Sequence, residues 1–446
     1  MNRLSRKMLA LALMLGIGES ALATDLLSIY REAQVQDATY AGAKAQYIGA
    51  QEKLPQARAL LLPSVNFAAG THYNDVDTDF RNNAFRSGRR DFYDYNYGVN
   101  VTQPLYRRQN NATFEQAKVQ VRQADTQLSA AAQDLMTRVA QGYFDVLLAR
   151  FNLATIRSQK TAVAQQLEQA KRNFVVGTAT ITDSREAQAR YDLVVAQELG
   201  AENDLEVSTR SLEQIVGKPV GKLAGLALPV SLNAPDPADM AAWVDQAYQS
   251  SLQVTLAQQN VEIAAQEIKK ADAGHYATLD AVGSLTDVYA NSSAQGIGSE
   301  IKAFVIGLQL NVPLYQGGGI SSKVREAVAG QERARQDLEA ARRAVALQTR
   351  QAYLGVTSGL AQIKALRQAV ESTRLQLEST KLGQEVGVRT QVDVLNADQQ
   401  LSIAERNLAQ AVYNTIVNQL KLKAAVGKLA EADLADVNTL LKEDAQ

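Results

Sequence analysis

FYDYNYGVNVTQ, residues 92–103, repeats with a period of two: Tyr93, Tyr95, Tyr97, Val99 and Val101 alternate with Asp94, Asn96, Gly98, Asn100 and Thr102. Alternation of this kind puts one apolar and one polar face on a β-strand. Just upstream, SVNFAAGTHY (64–73) sets Val65, Phe67, Ala69 and Tyr73 on one side. The pattern recurs once. Phe304, Ile306, Leu308, Leu310 and Val312 alternate with Val305, Gly307, Gln309 and Asn311, after a weaker strand at about 279–290. Polar segments 74–91 and 291–299 join each pair, so hairpins are expected at about 64–104 and 279–312.

Most of the remaining chain reads as helix. From about Arg107 to Phe174, apolar residues recur in steps of three and four, as in Leu128, Ala132, Leu135, Val139, Tyr143 and Val146, which is one stripe on a helix. No proline falls between Leu105 and Lys218. A helix of some 65 residues would run about 100 Å at 1.5 Å per residue. A second is expected from about Ser321 to Glu385, with return helices at 184–215 and 393–425 and a shorter helix pair at 25–62 and 237–273. Helices this long belong to coiled-coil assemblies rather than compact domains.

The two hairpins sit in two copies of one unit. At an offset of 209–214 residues, VTQPLY (101–106) returns as LNVPLY (310–315), Tyr143 as Tyr353, and LEQIVGK (212–218) as LKAAVGK (422–428). A period this long lies outside solenoid repeats and marks a duplication. The expected organisation is residues 24–217, a connecting segment at 218–238 carrying Pro219, Pro229, Pro235 and Pro237, then 239–429 and a C-terminal segment 430–446.

Residues 1–23 read as a secretory signal peptide. Arg3, Arg6 and Lys7 precede the apolar run MLALALMLGIG, and Ala21-Leu22-Ala23 supplies small residues for cleavage. Cleavage leaves 43 basic against 46 acidic residues, a balance unlike that of a nucleic-acid binder. Cysteine is absent, which removes disulfides, thiol chemistry and cysteine-linked lipid anchors. No later apolar run of about 18 residues suggests a transmembrane helix. His72 and His275, the only histidines, have no ligand spacing, and Gly317-Gly318-Gly319 lacks the Lys-Ser/Thr of a phosphate loop. No cofactor, metal or catalytic set is expected.

In an exported chain, strands of about 10–12 residues with a tyrosine-rich apolar face suit an outer-membrane barrel. Four strands cannot close one, because the smallest use eight, and an open sheet would leave unpaired edges in lipid. Three protomers would supply twelve.

These features together resemble the TolC-like outer membrane efflux protein family: the signal peptide, the duplicated helix–hairpin–helix unit, LLLPSV before the first strand, PLYQGGG after the last, and paired VGxxTxxD breaks in VGTATITDSREAQ (176–188) and VGVRTQVDVLNAD (386–398). The resemblance covers essentially the whole mature chain. It implies a mainly α protein with membrane β: a homotrimer whose shared twelve-stranded barrel in the outer membrane continues into a long α-helical coiled-coil barrel across the periplasm. It also implies an exit duct for an inner-membrane pump or ABC exporter, joined through a periplasmic adaptor (membrane fusion) protein.

By the same resemblance, the two breaks are turns at a tapered periplasmic tip. Asp393 matches an acidic constriction ring, with Asn396 where the family pattern has a second aspartate. Arg389 matches a latch arginine, Thr182 and Asp183 its partners on the neighbouring coil, and Gln384 stands where the pattern has a tyrosine. Val176, Gly177, Thr178, Val386, Gly387 and Val388 match the turns that meet the adaptor. Spacing alone supports a second role for both aspartates, since Thr180-x-x-Asp183 and Thr390-x-x-Asp393 fit helix-start capping. Glycine at such a break also ends helices. Arg81, Arg86, Arg89 and Arg90 read as decoration of a solvated extracellular loop, and the single Trp243 as a packing residue. An alternative from another class is a trimeric coiled-coil surface or scaffolding protein without transport; the mid-chain placement of both hairpins favours the channel.

Overall fold

The computed structural model describes residues 24–81, 87–226 and 230–442; the expected signal peptide, Arg86 and Pro229 lie outside them. The chain opens with helices α1 (Leu26–Gln36), α2 (Ala38–Gln51) and α3 (Lys53–Ala59), followed by strands β1 (Ser64–Thr78) and β2 (Gly88–Tyr106). Two long helices follow, α4 (Arg108–Val175) and α5 (Ile181–Val216), then a short strand β3 (Gly225–Leu226). The second copy repeats this order: α6 (Met240–Ser250), α7 (Leu252–Asp272), β4 (Thr278–Ala290), β5 (Ser299–Asn311), α8 (Gly319–Glu385) and α9 (Gln391–Ala425). Helix α10 (Glu431–Asn438) and strand β6 (Leu441–Lys442) close the described chain. At 68 and 67 residues, α4 and α8 each correspond to about 100 Å of helix axis.

Two compact units cut across both copies. Of the described residues, one holds those within 45–127 and 255–341, and the other those within 24–44, 128–254 and 342–442. The first contains the antiparallel sheet, ordered β1-β2-β4-β5. Its pairing keeps the period-two pattern in phase across strands: Phe67 lies opposite Val99, Val99 opposite Leu285, and Leu285 opposite Phe304. One face therefore carries Val65, Phe67, Tyr93, Tyr95, Tyr97, Leu285, Tyr289, Phe304 and Ile306, all substantially exposed in the single chain. Its tyrosines cluster toward the hairpin ends, with Tyr73 and Tyr93 centroids 5.1 Å apart and Tyr95 and Tyr289 6.2 Å apart. Such a band is what a lipid-facing surface with an aromatic girdle requires.

The first hairpin is longer than its apolar alternation indicated: β1 has 15 residues and β2 has 19. Polar cross-strand pairs carry the ladder on where the hydrophobic signal stops. The Arg89 Nε–H donates to Asp75 Oδ1 at 2.7 Å, and His72 Nδ1 lies 2.9 Å from Asp94 Oδ2. Arg89 and Arg90 therefore belong to the strand rather than the loop, and Arg90 Nη1 donates to the Ala294 carbonyl of the other hairpin at 2.6 Å.

The other unit owns the main core. Leu135, Val139, Tyr143 and Val146, four of the six residues of the expected α4 stripe, are fully buried with Leu26, Ile29, Tyr30, Leu212 and Ile416. Phe144 stacks on Tyr413 at 5.3 Å and meets Tyr143 edge-on at 5.7 Å. The Tyr143 hydroxyl donates to the Ala224 carbonyl at 2.7 Å, and its counterpart Tyr353 donates to the Ala238 carbonyl at 2.7 Å. Each tyrosine thus ties a long helix to the connecting region. Trp243 packs as expected, with its indole N–H on the Pro237 carbonyl at 2.7 Å. Tyr143→Phe removes the hydroxyl that donates to the buried Ala224 carbonyl and is expected to cost about 1–3 kcal/mol, read as a lower urea midpoint by circular dichroism; an unchanged midpoint would reject this role.

Candidate functional site

The turns that join α4 to α5 and α8 to α9 are built alike because their sequences are alike. Each places a glycine in the left-handed region, Gly177 at φ 76° and Gly387 at φ 80°, where glycine has no Cβ penalty. Each then folds the next amides back onto the helix end. Thr178 N donates to Asn173 O at 2.9 Å and Gly177 N to Phe174 O at 3.0 Å; Val388 N donates to Gly383 O at 2.8 Å and Gly387 N to Gln384 O at 3.0 Å. Gly383 has a further role: a Cβ there would stand 2.8 Å from Arg389 Cγ, so the arginine stem lies against bare backbone.

The next helix starts at once, through a capping box. Thr180 Oγ1 accepts from Asp183 N at 3.2 Å while Thr180 N donates to Asp183 Oδ2 at 2.8 Å; Thr390 and Asp393 repeat this at 3.2 and 2.9 Å. The Thr390 hydroxyl adds a third bond to Asp393 Oδ2 at 2.9 Å. These donors hold both carboxyls below the usual carboxylate range, the backbone amide of the capping threonine contributing most, and at Asp393 the neighbouring Arg389 charge acts the same way. Both aspartates therefore fulfil the capping role expected from spacing.

The other singled-out residues are distributed around these turns. Val176, Val386 and Val388 are 71%, 67% and 79% exposed, a degree unusual for adjacent valines on a finished surface. Thr182, Arg389 and Asn396 are exposed as well. Gln384 is partly buried, and its amide donates to Gln391 Oε1 across the turn, a partner the sequence gave no periodic signal for. Asn396 lines a cavity of about 250 Å³ with Gln159, Gln166, Arg190, Gln197 and Gln399. Among the described residues no hydrogen bond or ion pair joins Arg389 to Thr182 or Asp183 within the chain, so a bond between them would need a second copy. Nor do three or more His, Cys, Asp or Glu residues gather as a metal site among the described residues. No described helix is long and apolar enough to cross a membrane.

The hairpins between helices are firmly tied. Arg157 reaches Glu202 at 2.7 Å and Glu198 at 3.3 Å, with Lys160 also on Glu198, linking α4 to α5. Arg374 reaches Glu405 at 3.2 Å, linking α8 to α9.

The sequence profile of a family described as "Outer membrane efflux protein" matches residues 29–218 and again 243–428, once in each copy. The chain belongs to this family. As an outer membrane efflux protein it is a channel component and not an enzyme. It is 37% identical over 433 residues to the outer membrane protein TolC of Vibrio cholerae, covering 96% of each chain. It is 29% identical over 434 residues to the proteases secretion protein PrtF of Dickeya chrysanthemi, covering 96% of this chain and 94% of that one. Among solved structures, the CmeC outer membrane channel of Campylobacter jejuni superposes with a TM-score of 0.79 at 15% identity, covering 93% of this chain and 89% of that one. VceC of Vibrio cholerae superposes with a TM-score of 0.73 at 20% identity, covering 90% and 96%. The fold expected of an efflux protein, long helices with a small membrane sheet, is therefore the fold found.

Proposed function

We propose that the protein is the passive exit duct of a tripartite efflux pump or a type I secretion system, working as a homotrimer in the outer membrane. The observation that carries this reading is the four-stranded sheet. It has a tyrosine-rich apolar face and two open edges, a combination that is stable in lipid only when other copies close the ring. Three copies give twelve strands. The relatives named for protease secretion and the TolC proteins support the transport class.

In this reading residues 1–23 are removed, the duplicated segments 24–217 and 239–429 each contribute one hairpin and two long helices, and 218–238 and 430–446 complete the region around the core. The twin turns form the periplasmic tip. Asp393, with Asn396 one turn further along α9, rings the narrowest opening. Arg389 and Gln384 latch to Thr182 and Asp183 of the neighbouring protomer. Val176, Gly177, Thr178, Val386, Gly387 and Val388 meet a periplasmic adaptor, whose inner-membrane pump or ABC exporter supplies the energy. Exposed valines beside a rigid glycine turn suit a helical partner that buries them.

Planar-bilayer recording on the purified protein tests the reading. Discrete ion-conducting steps from a heat-sensitive trimer are expected, larger when Arg389→Ser removes the latch. A trimer that stays silent with Arg389→Ser and with Asp393→Ala alike would sink the channel assignment.

A further inference from the structure

The internal duplication specifies how one protomer joins the next. The two hairpins have the same register: Ser64 pairs with Thr102 in the first, Thr278 with Asn311 in the second. Thr102 to Asn311 is an offset of 209, and Ser64 to Thr278 one of 214. The first offset also aligns QPLY (103–106) with VPLY (312–315) and Gly98 with Gly307. Sequence and strand pairing therefore give one equivalence.

Between the hairpins, inside the chain, runs a seam that the structure records in full. Strand β2 pairs with β4 through Val101 and Gly283, Val99 and Leu285, and Gly98 and Thr286. Just past the end of β2, Arg107 grips Asp280 of β4 at 2.8 and 2.5 Å, leaving Asp280 only 7% exposed. The edges β5 and β1 carry the equivalents of β2 and β4 and, among the described residues, have no strand partner on their outer sides. Their exposure differs accordingly. Leu105 and Tyr106 are 53% and 45% exposed, but their equivalents Leu314 and Tyr315 are 92% and 87% exposed. Whatever covers the first pair is missing from the second.

Building on the trimeric reading above, we infer that β5 of one protomer pairs antiparallel with β1 of a second copy in the register carried over from the internal seam. Leu310 lies opposite Ala69 of the neighbouring copy, Leu308 opposite Thr71, Gly307 opposite His72 and Ile306 opposite Tyr73. This keeps every residue of the apolar face of β5 against the apolar-face positions of β1, as closure in lipid demands. The equivalents of Arg107 and Asp280 are Gln316 and Asn66. The charge pair of the internal seam thus becomes an amide pair at the subunit seam, complementary and neutral. Both amides are exposed in the single chain, as an unfilled interface requires.

Engineered cysteines test the register, since the chain has no cysteine of its own. Directly opposed residues have Cβ atoms about 4.5–5.5 Å apart, diagonal neighbours about 7–8 Å, and a disulfide needs about 3.5–4.5 Å. Edges of one sheet separated by three strand spacings of about 4.8 Å cannot be bridged within a chain. Oxidised Leu308→Cys/Thr71→Cys is therefore expected to run as a covalent trimer on denaturing gels, about tenfold more abundant than for Leu308→Cys/Tyr73→Cys or Leu308→Cys/Ala69→Cys. A second measurement uses the amide pair: Asn66→Asp is expected to lower the temperature at which the trimer dissociates in detergent, and Gln316→Arg to restore it. Efficient cross-linking only in a shifted register, or no rescue by Gln316→Arg, overturns the inferred register while leaving the trimer standing. No cross-linking in any register overturns the closed barrel, and this inference with it.

Discussion

Asp393→Ala should reduce the preference of the open channel for cations over anions several-fold. Three carboxylates around one narrow opening hold a negative potential that raises local cation occupancy, and in a confined, low-dielectric opening that potential is little screened. Reversal potentials across a salt gradient in planar bilayers measure it directly. The same substitution removes a cap, because Asp393 Oδ2 receives both the Thr390 amide and the Thr390 hydroxyl. Asp183→Ala separates the two effects: it deletes the matching cap on α5 without touching the proposed ring, so it should leave ion preference unchanged. If both substitutions shifted the reversal potential equally, the ring assignment would fall. Acid should act in the same direction as the alanine. The folded-state carboxyl sits below its ordinary value, so its contribution to the turn is complete above the unfolded carboxylate range and disappears as pH falls through the lowered folded value. Cation preference and cap are then lost together.

Gly427→Ala should destabilise the protein by about 3 kcal/mol or more, combining a left-handed backbone penalty of about 1–2 kcal/mol with overpacking of about 1–3 kcal/mol. Gly427 has φ 71°, and a Cβ there would lie 2.3 Å from the Ser250 carbonyl oxygen, a backbone atom with no freedom to move aside. Its equivalent in the first copy, Gly217, has nearly the same φ of 77° and the same motif, but a Cβ there would stand 3.1 Å from its nearest neighbour, Gln36 Cβ, a contact that needs only a shift of a few tenths of an ångström. Gly217→Ala should therefore cost little more than the backbone penalty, about 1–2 kcal/mol. Urea unfolding followed by circular dichroism compares the two. Equal losses would mean that backbone conformation alone decides the cost and that the close approach to Ser250 relaxes freely.

Much of this protein is legible in its residues because its signals are local and repeated. The period of two in FYDYNYGVNVTQ and the three-and-four spacing through Leu135, Val139, Tyr143 and Val146 each follow from one element's geometry, so strand and helix placements hold to within a few residues over the apolar stretches. The capping pairs Thr180/Asp183 and Thr390/Asp393 lie within one turn and were readable for the same reason. The outer part of the first hairpin was less legible, since a ladder continued by Arg89 with Asp75 and His72 with Asp94 has no hydrophobic period to reveal it. Nor could spacing place the Gln384–Gln391 bond, the Gly383 surface under Arg389, or the glutamine-lined cavity beside Asn396, because each depends on which helices lie together.

Sequence by itself determined the class: two copies of a helix–hairpin–helix unit, an apolar strand face, an efflux-family signature and turns ended by glycine and restarted by threonine and aspartate. Only the tertiary structure decided the rest. It ordered the strands β1-β2-β4-β5 and left two edges open, paired Arg107 with Asp280 at the internal seam, and set Gly427 hard against the Ser250 carbonyl while Gly217 stood farther from Gln36. Those outcomes depend on contacts between residues up to hundreds of positions apart, and local periodicity carries no information about such distances.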